Sequence, residues 1–134
     1  MSPSKPTPRP PAPNLDAQQQ DEVAAFRKNV VVPSMDRIVI LDFYADWCGP
    51  CQALMPVLKQ VAAVYAHKGA ALVTMDVDTN GFIAAQFNVR SIPAVFAIYQ
   101  GKPVADMTAA RTAPQVSQML DKLIAQYQVN PVAT

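Results

Sequence analysis

The chain has 134 residues, 11 Lys plus Arg against 10 Asp plus Glu, and a hydrophobic fraction of 51%. This length predicts one domain of ordinary size, and the scattered charges, with a net charge of +1, argue against nucleic acid or a membrane as a partner. The sequence has neither an apolar run of membrane-spanning length nor the apolar stretch of a secretory signal, so we expect a cytoplasmic location.

Prolines are concentrated at the N-terminus, where residues 1–20 offer almost no large apolar side chains to bury. We therefore expect residues 1–20 to be a disordered, proline-rich tail, with docking of a proline-binding partner as the alternative. The folded domain is predicted over residues 21–128. Residues 129–134 are expected to form a flexible C-terminus.

The first helix is predicted over residues 20–31, where Val23, Phe26 and Val30 recur at helical spacing behind two acidic residues. Pro33 and the serine after it should end this helix.

The middle of the chain alternates between strand and helix patterns. Residues 38–44 are almost all apolar, which predicts a buried central strand. Helical spacing then predicts a long helix that contains Pro56 and closes at Gly69, and residues 71–77 have the pattern of a second strand.

A short helix is predicted over residues 82–87, with capping side chains from Asp78, Thr79 and Asn80, and residues 94–99 and 104–108 form a hairpin. Thr112 should cap a last helix that reaches Tyr127. This order is typical of an α/β domain, in which we expect the crossovers to give parallel strand pairs and the hairpin an antiparallel edge.

The only two cysteines, Cys48 and Cys51, lie at the junction between the predicted central strand and the long helix. A helix N-terminus favours the thiolate of Cys48, the attacking species in disulfide exchange, while Cys51 lies deeper and would resolve the mixed disulfide. Half of a zinc site and a structural disulfide are the alternatives for such a pair. Zinc needs about four ligands, and the sequence offers only His67 as a further histidine or cysteine.

The string Phe-Tyr-Ala-Asp-Trp-Cys-Gly-Pro-Cys, which ends at Cys51, resembles the thioredoxin family. Pro56 and the Ile92–Pro93 pair extend this resemblance, which runs from the first helix to Tyr127. It implies an α/β thioredoxin fold with a central mixed sheet of four to five strands flanked by helices. It also implies a cis Pro93 that faces the cysteine pair, and neither a metal nor an organic cofactor.

The resemblance also assigns roles to other residues. Asp42 corresponds to the buried carboxylate beneath Cys51, which should have a raised pKa and act as the general base. Thr74 replaces a customary lysine partner of that carboxylate, and Ala109 replaces a glycine that usually lines the substrate groove. The residues expected to bind substrate around Cys48 are Trp47, Gly49, Pro50, Ile92, Pro93 and Ala109.

The function implied is that of a thiol-disulfide oxidoreductase that reduces protein disulfides by dithiol exchange. The expected partners are disulfide-bearing proteins and a thioredoxin reductase, and the expected state is a monomer. The alternative is the substrate-binding module of a chaperone in which a thioredoxin-like domain is fused to tetratricopeptide repeats. The proline-rich leader and Thr74 favour that alternative.

Overall fold

A computed structural model describes residues 14–131. Within this range the helices and strands are, in chain order, α1 (Ala17–Phe26), α2 (Val32–Ser34), β1 (Ile38–Tyr44), α3 (Gly49–Tyr65), β2 (Ala70–Asp76), α4 (Gly81–Gln86), β3 (Ala94–Tyr99), β4 (Lys102–Asp106) and α5 (Ala113–Tyr127). None of the helices in residues 14–131 combines the length and the apolar character that crossing a membrane requires.

The four strands form one mixed sheet in the order β2-β1-β3-β4, with β1 and β2 parallel and the other two pairs antiparallel. The central strand is buried on both faces, as its apolar run predicts. Ile38 and Ile40 pack in a core with α3 and α5, while Val39, Leu41 and Phe43 pack on the opposite face in a core with Phe87 and other apolar side chains. This architecture confirms the predicted fold class.

The orientation of β3 differs from the expectation that both crossovers give parallel pairs. Strand β3 runs antiparallel to β1, which it pairs with directly. In the register of the sheet, Tyr44 at the end of β1 pairs with Asp76, the last residue of β2, and the preceding Phe43 pairs with Ala94, the first residue of β3. The segment that contains α4 therefore does not carry the chain back across the sheet, and β3 begins at the same end of the sheet at which β2 ends.

The N-terminal helix is longer than predicted at both ends. It begins at Ala17, because Asp16 and Gln19 form a reciprocal capping box, and residues 17–20 are therefore helical rather than part of a tail. Residues 1–13, the rest of the predicted tail, lie outside the described residues. At its other end α1 continues through a π-helical turn into α2, so the helical segment passes Pro33 instead of ending before it.

The C-terminal helix follows the prediction closely. Thr112 and Gln115 form a capping box at its start, and Gln128 ends it in the left-handed conformation with φ 52°. Val129, assigned to the flexible C-terminus, is buried in the core, and its Cγ1 would lie 2.6 Å from a Cβ placed on Gly69. That expectation is therefore wrong for Val129, while residues 132–134 lie outside the described range.

Candidate active site

The two cysteines lie in the first turn of α3. Cys48 is the N-cap residue of the helix, and the backbone N–H of Cys51 donates a hydrogen bond of 3.2 Å to Cys48 Sγ. The two sulfurs are bonded to each other, and the Cα atoms are 5.3 Å apart. The spacing thus closes a 48–51 disulfide at the positive end of the helix dipole.

The two sulfurs have different surroundings. Cys51 is 1% exposed and Cys48 is 5% exposed, and both pack in a small cluster with Ala45. The Cys48 sulfur is also the acceptor at the N-cap, where unpaired backbone N–H groups and the helix dipole stabilise a negative charge. This environment lowers the cost of ionising the Cys48 thiol once the disulfide is reduced.

Ile92 lies against the cysteine pair. The carbonyl oxygen of Ile92 is 3.9 Å from Cys48 Sγ, and the Ile92–Pro93 peptide bond is cis. The segment before β3 therefore borders Cys48, the more exposed residue of the pair.

Asp42 is fully buried in the central strand, with 0% exposure. Neither of its carboxylate oxygens has a hydrogen-bond partner among residues 14–131, and burial raises its pKa from 3.8 to about 6. Thr74 of β2 pairs with Asp42 in the register of β1 and β2. The resemblance identified Thr74 as the residue that replaces the customary lysine partner of this carboxylate. Side-chain alternation places Asp42 on the same sheet face as Ile40, which packs under α3.

A cavity of about 350 Å³ opens beside Cys51. Its other lining residues come from the end of β1 and from the outer side of α3, and they are Tyr44, Ala45, Asp46, Gln52, Met55, Pro56 and Lys59. The cavity thus borders Cys51, whose own exposure is only 1%.

Trp47 is 71% exposed, although it precedes a buried cysteine. Its indole Nε1 donates a hydrogen bond of 3.0 Å to Asp78 Oδ2, in the turn after β2. Trp47 lines a depression of about 390 Å³, whose other lining residues are Val77, Ala84, Val89, Arg90, Ser91 and Ile92. Val77 and Ile92 also pack against the cluster that contains both cysteines. We call this surface the Trp47 depression.

Four of the six residues predicted to bind substrate line depressions of the surface. Trp47 and Ile92 line the Trp47 depression, and Pro50 lines a depression of about 200 Å³ together with Arg111. Ala109 is exposed and lines a depression of about 270 Å³ at the start of α5.

Two acidic residues near this surface have roles that the sequence pattern did not indicate. Asp78 holds Trp47, although it was expected to cap α4, and Glu22 of α1 caps α4 in its place. Both contacts join residues that are far apart in the chain. Glu22 does lie four residues before Phe26 and eight before Val30, on the apolar face of its helix, which indicates burial of its side chain but not the group that it contacts.

Comparison with known proteins gives consistent matches. The profile of the thioredoxin family matches residues 17–122. A thioredoxin of Haemophilus influenzae is 40% identical over 94 residues, which cover 70% of this chain and 87% of that protein. A thioredoxin of Chlorobaculum thiosulfatiphilum is 40% identical over 89 residues, which cover 66% of this chain and 82% of that protein. A thioredoxin of Staphylococcus aureus is 38% identical over 85 residues, which cover 63% of this chain and 81% of that protein.

A disulfide formed by paired cysteines at the start of a helix, on a mixed sheet of this topology, defines the class as a thiol-disulfide oxidoreductase. The profile match covers most of the chain, and the relatives are matched over more than four-fifths of their own lengths. The chain belongs to the thioredoxin family.

Proposed function

We propose that this chain reduces protein disulfides in two exchange steps. The Cys48 thiolate attacks one sulfur of the substrate disulfide, which breaks that bond, forms a mixed disulfide and releases the other sulfur as a thiolate that takes up a proton. Cys51 then attacks Cys48 Sγ, which releases the second substrate thiolate. The products are the Cys48–Cys51 disulfide and a substrate dithiol, so two electrons pass to the substrate.

The observation that carries this proposal is the asymmetry of the cysteine pair. Both residues are buried, but Cys48 is the more exposed of the two, and its sulfur lies at the helix N-cap, where a thiolate is stabilised. Cys51 is 1% exposed and its sulfur lies within bonding distance of Cys48. Cys48 is therefore assigned attack on the substrate, and Cys51 resolution.

We assign Asp42 the role of general base for Cys51. Its pKa of about 6 leaves it mostly ionised at neutral pH, and the same rise narrows the gap to an ordinary thiol pKa of about 8.5. Its position on the sheet face beneath α3 supports this assignment, since Cys51 is three residues before Leu54 on the buried side of that helix. The carboxylate would take the proton of Cys51 as resolution begins.

The remaining expectations become parts of the same proposal. Trp47, Gly49, Pro50, Ile92, Pro93 and Ala109 contact the segment of the substrate that flanks its disulfide. A thioredoxin reductase returns the electrons, and the chain works as a cytoplasmic monomer. Nothing in the described residues favours the chaperone alternative, and the three relatives reported above are described as thioredoxins.

Turnover of insulin, a protein with accessible disulfides, tests the proposal. Wild type should reduce insulin continuously when a thioredoxin reductase and its nicotinamide donor are supplied, whereas Cys48→Ser should be inactive. Cys51→Ser should lose turnover but still react once with the substrate. Full turnover by the Cys48→Ser protein would contradict the assignment of the nucleophile, and failure of wild type to reduce insulin would contradict the function.

A further inference from the structure

Glu22 is a buried carboxylate outside the cysteine site, with 6% exposure. Its Oε1 accepts hydrogen bonds from the backbone N–H groups of Phe82, at 2.9 Å, and Ile83, at 3.2 Å. These two groups begin α4, where the Asn80 side chain donates to Asp76 and Thr79 instead of accepting from the helix. A side chain of α1 thus caps a helix that is about 60 residues away in the chain.

Gln18 makes a second link between the same two segments. Its Nε2 donates to Glu22 Oε2 at 3.3 Å and to the carbonyl oxygen of Thr79 at 3.2 Å. Gln18 and Glu22 lie one turn apart on α1, so they present their polar groups from one face of the helix. We call these two residues the α1 brace.

The segment that the α1 brace holds, residues 76–84, contributes directly to the surface beside the disulfide. Asp78 accepts the indole hydrogen bond of Trp47, and its own N–H is held by Asp76 Oδ1 at 2.8 Å. Val77 and Ala84, at either end of the segment, line the Trp47 depression. The α1 brace and the Trp47 depression are therefore connected through the same short segment, residues 76–84.

We propose that Glu22 and Gln18 are positioning residues for the binding of protein substrates. They fix residues 76–84, and this segment in turn fixes the indole of Trp47 and the wall of the Trp47 depression. This inference rests on the proposed function, because it assumes that the substrate lies on that surface. Neither residue touches the reacting sulfur atoms, so the exchange chemistry should not depend on them.

Substitutions at Glu22 separate its hydrogen bonds from its charge. Glu22→Ala leaves two N–H groups of α4 without their acceptor, and a buried unpaired donor is costly. Glu22→Gln removes the charge but keeps a carbonyl oxygen that can accept. Asp21→Ala is the matched control, because it removes the neighbouring carboxylate on the exposed side of α1.

Single-turnover reactions of the reduced protein with two disulfides provide the test. Insulin needs the surface, while dithiobis-nitrobenzoate is a small disulfide that needs little beyond Cys48. For Glu22→Ala we expect the half-saturating insulin concentration to rise about fivefold, equivalent to about 1 kcal/mol of binding free energy, with the limiting rate and the small-disulfide rate within about twofold of wild type. Glu22→Gln should restore most of the binding, and Asp21→Ala should match wild type.

A direct probe is also available, because Trp47 is the only tryptophan in the chain. The NMR signal of its indole N–H should shift or broaden in Glu22→Ala and stay in place in Asp21→Ala. If Glu22→Ala does not fold, Gln18→Ala carries the test, with an expected rise of about twofold in the half-saturating insulin concentration, about 0.4 kcal/mol.

Two results would overturn the proposal. Wild-type insulin binding and an unmoved indole signal, in a Glu22→Ala protein that is merely less stable to denaturant, would make Glu22 a structural residue only. Equal losses with insulin and with the small disulfide would show that Glu22 affects the cysteines and not the surface. Failure of the proposed function is distinguishable from both, because wild type itself would then fail to reduce insulin.

Discussion

Replacing Asp42 with Asn should stabilise the fold, by an amount that increases with pH. Burial raises the pKa of Asp42 from 3.8 to about 6, so the folded state binds the proton more tightly than the unfolded chain does. The stability that this proton contributes is complete below about pH 3.8 and is lost as the pH rises through about 6. Asn carries no charge and shows no such loss.

The size of the effect follows from the two pKa values, at about 1.4 kcal/mol for each pKa unit. Relative to the fully protonated state at low pH, the free energy of unfolding is lower by about 3 kcal/mol at pH 8 and by roughly half of that at pH 5. The stability gap between Asp42→Asn and wild type should therefore widen by roughly 1 to 2 kcal/mol between these pH values. The cost of burying the Asn amide is the same at pH 5 and at pH 8, so it cancels when the two stability gaps are compared.

Denaturant unfolding of the oxidised proteins at pH 5 and pH 8 measures this gap. Asp21→Asn, which changes an exposed carboxylate on α1, is the control and should show no comparable widening. An Asp42→Asn gap that is equal at the two pH values would show that Asp42 is solvated. A gap that narrows at pH 8 would show that a cation stabilises the charged form, which contradicts burial as the cause of the shift.

Two further substitutions test how the ends of α3 and α5 are fixed. Gly69→Ala should destabilise the fold by more than about 1 kcal/mol in the same denaturant assay, because Gly69 has φ 101° and a Cβ there would be 2.6 Å from Val129 Cγ1. Gly81→Ala is the control and should have little effect, since its Cβ would meet no described atom within 4 Å. Thr112→Ala removes the capping hydroxyl that accepts from Gln115 N–H and should lower the free energy of unfolding by about 1 kcal/mol; an unchanged midpoint would show that the cap is not needed.

Local patterns in the sequence predicted the elements whose signals are local. The apolar run of residues 38–44 became β1, and the spacing after Thr112 became α5 with the expected capping box. The cysteine pair was equally readable, because the strand before it and the helix after it place both sulfurs in one turn. These features depend on residues that are close together in the chain.

Features that depend on tertiary contacts were not predictable in the same way. The direction of β3 depends on where the chain enters the sheet beside β1, which the strand pattern of residues 94–99 does not contain. The contacts of Asp78 with Trp47 and of Glu22 with the start of α4 join residues 31 and about 60 positions apart. A capping residue was expected next to α4 because local capping is the usual arrangement, but the acceptor comes from α1.

Trapping of the mixed disulfide tests most directly which cysteine attacks the substrate and which one resolves the mixed disulfide. Cys51→Ser and Cys48→Ser proteins, each reduced, are mixed with insulin and quenched with acid, and the covalent adducts are mapped by peptide mass spectrometry. We predict a stable adduct through Cys48 in the Cys51→Ser protein, because no thiol remains to resolve it, and almost none through Cys51, which is 1% exposed. Rapid adduct formation through Cys51 in the Cys48→Ser protein, with little in Cys51→Ser, would contradict the account.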